Sequence, residues 1–119
     1  MFKIKTKREF DVTVKAGKTN VTLTFRKGLK EEGMPFIPET LDVEKLTAVE
    51  ERSLFYTELR YALVDWKGIG DEDGVVLPVV DADGSIITNN QILVFDAVMD
   101  LPGFSDKLIK AWNGFSSKN

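Results

Sequence analysis

The sequence contains no cysteine and no histidine. Without cysteine there is no disulfide framework and no thiolate metal site. Without histidine no Ser-His or Cys-His nucleophile system can be assembled, and no His-ligated zinc. Catalysis would fall to carboxylates, lysine or tyrosine alone, so the expectation is a protein that is not an enzyme and that uses no cofactor and no metal. No apolar run approaches the length that spans a bilayer, so no membrane partner is expected. Phe2 to Phe10 alternates with charge and has no apolar h-region, so no secretory leader is read there. The cytoplasm is the expected compartment.

What is present is ordinary for a globular chain: 119 residues, 43% hydrophobic and 29% charged. That length suits one domain, residues 1–119, with a core that needs no staples. Charge is unevenly spread. Residues 1–30 hold Lys3, Lys5, Lys7, Arg8, Lys15, Lys18, Arg26, Lys27 and Lys30 against only Glu9 and Asp11, while the whole chain carries −3. A basic segment suggests nucleic acid, or a basic face that meets an acidic one. The segment lacks an aromatic stacking pattern and the pI is near 5.0, so no nucleic-acid partner is expected. A solvated strand face is the plainer reading.

The patterning gives an α+β fold: an N-terminal β-hairpin packed on three or more α-helices. Phe10, Val12 and Val14 alternate with polar residues, as do Val21, Leu23 and Phe25, and Gly17 and Asn20 lie between them. This predicts a basic hairpin region over 1–30 with one buried face. Gly28, Gly33, Pro35 and Pro38 break regular structure. Thr40 or Asp42 is the expected cap of a long helix over 39–67, with apolar residues at Val43, Leu46, Val49, Leu54, Leu59, Leu63 and Trp66 and a candidate break near Ala48. An acidic loop over 68–88 follows, with turns at Asp73-Gly74 and Asp83-Gly84 and a small hairpin around the second. Helices over 89–115 close the chain. Thr88 or Asn89 is the expected cap of a buried central helix, Asn90 to Met99, that includes Leu93. Ser105 is the expected cap of a last helix bearing Leu108, Ile109, Trp112 and Phe115.

The acidic turns invite a calcium reading. An EF-hand loop needs Gly at position six and Glu at position twelve. Counted from Asp71 these are Val76 and Ala82, and counted from Asp81 they are Ile86 and Ile92, so the motif is absent. Glu50, Glu51, Glu58 and Asp65 read as helix-surface carboxylates paired with Arg52 and Arg60, not as an acid/base couple. Gly68-Ile69-Gly70 lacks the rest of a dinucleotide fingerprint.

Taken together, Thr22 to Arg26, Tyr61 to Ile69, Asp71 to Gly74, Leu77-Pro78 and Leu101 to Phe104 form a pattern that resembles the tail assembly chaperones of long-tailed (siphovirus) phages and prophages, similar in role to the lambda G protein. The resemblance covers Val21 to Trp112 and is most specific over Trp66 to Pro78. Val79 to Ile87 departs from it by extra length. It implies a non-catalytic chaperone of viral morphogenesis that binds tape measure protein and tail tube protein in the host bacterial cytoplasm and is missing from the mature virion. Such a chaperone must cover apolar stripes of the tape measure before the tube encloses them. Phe55, Tyr56 and Tyr61 on the long helix, with Trp112 and Phe115, are the partner-binding candidates, although core packing is the plainer reading of each.

The resemblance also implies a minority product made by ribosomal frameshift, for which Lys118-Asn119 permits a run of adenines in the gene. The opposite charges of the two chain regions suit a homo-oligomer with head-to-tail contacts. A structural virion component, such as a head–tail connector or tail terminator protein, is the alternative, and an unrelated regulatory or enzymatic domain stands behind both.

Overall fold

The computed structural model describes residues 1–2, 8–27 and 47–115. The breaker region from Gly28 to Pro38, the expected caps Thr40 and Asp42, the first turns of the expected long helix, residues 3–7 and residues 116–119 lie outside the described residues.

The hairpin forms as its alternation dictates. Strands β1 (Glu9–Ala16) and β2 (Thr19–Arg26) are antiparallel, with Val12 opposite Leu23 and Val14 opposite Val21. Gly17 turns the chain at φ 65°. Val12, Val14, Val21, Leu23 and Phe25 face inward and are buried. The outer face is polar and knitted by cross-strand pairs: Thr13 and Thr22 share a 2.9 Å hydroxyl hydrogen bond, and Thr24 donates to Asp11 at 2.6 Å.

Helix α1 (Ala48–Ala62) starts on a capping box. Thr47 Oγ1 accepts from the Glu50 amide, and Glu50 Oε1 accepts from the Thr47 amide. The expected helix over 39–67 is corrected at its far end. Leu63 ends the helix, and Leu63–Lys67 is strand β3, antiparallel to β2. Phe25 pairs with Leu63, Thr24 with Asp65 and Leu23 with Trp66, so β3 carries one extra residue, Val64. This bulge puts Leu63 and Trp66, three apart in sequence, on the same buried face. Their helix-like spacing thus belongs to a bulged strand. The sheet order is β1-β2-β3.

Helix α2 (Thr88–Met99) turns Gln91, Val94, Phe95 and Val98 inward, an i, i+3, i+4, i+7 stripe. Leu93, expected in the core, is 61% exposed. Neither Thr88 nor Asn89 caps this helix: Ile87 holds the N-cap position without a side-chain bond. Helix α3 (Phe104–Gly114) follows Gly103, whose φ of 79° lets it serve as N-cap, so Ser105 lies inside the first turn. Phe104, Leu108 and Trp112 are buried on its inner face, four residues apart each time. All three helices lie on the inner face of the sheet, with Phe25, Leu59, Leu63, Phe104 and Leu108 at the centre.

Candidate partner-binding surface

The five aromatic candidates fall into two groups. Phe55 and Tyr56 sit half-buried on α1 with ring centroids 6.2 Å apart, and Arg52 lies over the Tyr56 ring and donates to its hydroxyl at 3.3 Å. Tyr61, further along α1, is 36% exposed. Trp112 and the half-buried Phe115 belong to the other group, where both contact Phe10, at 6.1 and 5.6 Å. Phe10 also stacks on Phe25. Trp112 is 5% exposed, so its ring is committed to the core and offers little to a partner.

Basic residues of the hairpin are tied to the fold. Arg8 Nε donates to the Lys27 carbonyl at 2.7 Å. Lys27 Nζ donates to the Trp112 carbonyl at 2.8 Å and lies 5.1 Å from that ring, which places a cation at the C-terminal end of α3. Glu58 feels this arrangement: burial raises its pKa above the ordinary value of 4.5, and the Lys27 charge offsets part of the rise. Arg60 pairs with Asp96 of α2 at 2.9 Å and lies over Phe95, not with the α1 carboxylates expected from the sequence. The pair is exposed enough to contribute little. Among the described residues no group of three or more carboxylates is placed to hold a metal ion.

After β3 the turns expected at Asp73-Gly74 and Asp83-Gly84 form, and the Val80–Ile86 bridge closes the small hairpin expected around the second. Residues 69–77 and 79–87 fold as two tandem turns of the same construction. In the first, the Asp71 carboxylate accepts from the amides of Asp73 and Val75, and in the second Asp81 accepts from those of Asp83 and Ser85, all at 2.9–3.1 Å. The backbone bonds repeat as well: Leu77 to the Ile69 carbonyl, Ile87 to the Val79 carbonyl. Gly74 and Gly84 each sit at φ 80°. Asp-x-Asp-Gly recurs ten positions on, at 71 and 81, with bridges Gly70–Val76 and Val80–Ile86. The repeat was legible in that spacing.

The arm is anchored at its root and middle. Trp66 Nε1 donates to the Leu77 carbonyl at 2.9 Å, and Asn90 Nδ2 donates to the Pro78 carbonyl at 3.0 Å. Gly68, at φ 81°, passes so close to the hairpin that a Cβ there would meet the Asn20 carbonyl oxygen at 2.4 Å. The stretch Trp66 to Pro78, which carries most of the sequence resemblance, is therefore closed on itself by the indole. No protein-family model, curated protein or solved structure matches the chain. No helix among the described residues is long and apolar enough to cross a membrane.

Proposed function

We propose that this protein is a non-catalytic phage tail assembly chaperone that holds tape measure protein and tail tube subunits during tail morphogenesis. The observation that carries the reading is the exposure of large apolar side chains on a small domain whose core is already complete. Val49, Tyr61, Val75, Val76, Val80 and Leu93 all face solvent, while the inner face of the sheet is filled. Single exposed apolar residues are common, but consecutive ones on an anchored arm suit a protein that covers another. The resemblance over Trp66 to Pro78 supplies the identity of the partner.

The test is co-expression with the tape measure protein whose gene this reading expects next to it. The expected result is a soluble tape measure that co-purifies with this chain, and absence of the chain from mature particles by mass spectrometry. A tape measure that stays insoluble and unbound, or a stoichiometric amount of this chain in the virion, overturns the reading. The virion result would favour a structural component.

A further inference from the structure

We propose that the tandem-turn arm, residues 69–87, is a docking surface for a cationic, apolar-faced segment of a partner protein. The proposal rests on the reading of this chain as a binding protein, not on the identity of the partner. Val76 pairs with Gly70 in an isolated bridge, and Val75 precedes it in the turn closed by Asp71. Val75 and Val76 are 62% and 73% exposed, so the fold covers neither valine. Val80, at the start of the second turn, is 48% exposed.

Charge selects what covers them. From residue 68 to residue 106 there is no Lys or Arg, and the arm alone carries Asp71, Glu72, Asp73, Asp81 and Asp83. Asp71 and Asp81 are spent on their own turns. Glu72, Asp73 and Asp83 are exposed and form no ion pair among the described residues. A basic partner segment would meet carboxylates at the rim and valines at the centre, while an acidic one would be repelled. The anchors at Trp66, Asn90 and Gly68 hold the arm before any partner arrives, so little ordering entropy is lost on docking.

The experiment titrates the full chain with two labelled synthetic peptides by fluorescence anisotropy. One is an amphipathic peptide of alternating Lys and Leu blocks, the other its counterpart with every Lys replaced by Glu. The cationic peptide is expected to bind with an affinity that falls as salt rises, and the acidic one not to bind. The double variant Val75→Ser/Val76→Ser is expected to weaken binding by about tenfold or more through lost apolar burial. Glu72→Gln/Asp73→Asn/Asp83→Asn is expected to remove most of the salt dependence. Ala97→Ser/Asn113→Ser, exposed residues off the arm that belong to no proposed binding surface, serves as the unchanged control. All of these positions are exposed, and circular dichroism confirms folding of each variant.

Equal binding of both peptides, or binding unaffected by the Val75/Val76 pair, overturns the proposal. So does a wild-type oligomer that Val75→Ser/Val76→Ser turns into a monomer, since the valines are then covered by a second copy. Wild-type co-purification with the tape measure is scored separately, so failure of the arm and failure of the chaperone reading are distinguishable.

Discussion

The sheet-and-helix core and the tandem-turn arm are held by opposite means. In the core, Leu23 and Phe25 from the hairpin meet Leu59, Leu63, Phe104 and Leu108, all fully buried and drawn from distant parts of the chain. Each such side chain contributes about 1.5–3 kcal/mol by leaving water. The arm contributes no fully buried side chain, only Ile69, Leu77 and Val79 packed half-buried against the edge of the core. Its shape comes from bonds within a few residues, Asp71 to Val75 and Asp81 to Ser85, and from three anchors at its root and middle. The difference teaches that order and burial are separable. A segment can be well placed through satisfied backbone groups while its apolar side chains remain available.

The sharpest way to break the contrast is Phe25→Ala. Phe25 is fully buried and touches Phe10 and Phe95, so about 3–5 kcal/mol of stability should go, enough to unfold a large share of a marginal domain. Urea denaturation measures it, and a loss under 1 kcal/mol would contradict the central position given to this ring. Gly68→Ala comes next, at about 2–4 kcal/mol, because a left-handed φ is combined with collision against the Asn20 backbone. Gly74→Ala and Gly84→Ala share the φ but meet open space, and should each cost only about 1 kcal/mol.

Gln91→Leu tests a polar group inside the core. Gln91 is 4% exposed, and its Nε2 donates to the Leu63 carbonyl at 2.7 Å, where α1 gives way to β3. Leaving that carbonyl unpaired should cost about 1–3 kcal/mol by thermal or chemical melting. In the arm, Asp71→Ala and Asp81→Ala should each cost about 1 kcal/mol locally and leave the global transition almost unmoved. Amide exchange reads this directly. Val75 should lose protection in the first variant and Ser85 in the second, and parallel loss in both turns would show them to be coupled.

The smallest effect concerns Glu58. Its folded pKa lies above the ordinary 4.5, so between those values the folded chain binds more protons than the unfolded one. Stability contributed by this group is therefore greatest at acid pH and is lost as pH rises through that window. Glu58→Gln should flatten the slope there and be slightly more stable than wild type at neutral pH. A steeper slope in the variant would refute burial as the dominant cause.

The sequence by itself determined the hairpin, because Phe10-Val12-Val14 and Val21-Leu23-Phe25 alternate with a period of two, and period two has one structural solution when a face is buried. It determined the two helices near the C-terminus within a few residues, and the turns at Gly74 and Gly84. It did not reveal the full inner stripe of α3: extending the Leu108 and Trp112 spacing back by one step reaches Phe104, which is fully buried. Residue type alone cannot distinguish a ring committed to the core, such as Trp112, from one at the surface, such as Tyr61.

Only the tertiary structure decided the fate of Leu63 to Lys67. Local spacing favours continued helix, but β2, some forty residues earlier, offers paired backbone groups and a buried face to the same residues. A bulge at Val64 reconciles the spacing with that partner, and no local pattern encodes a contact so distant in sequence. The same holds for Leu93. Its apolar character places it anywhere on α2, and it stays exposed because the inner side of that helix is already filled by Gln91, Val94, Phe95 and Val98.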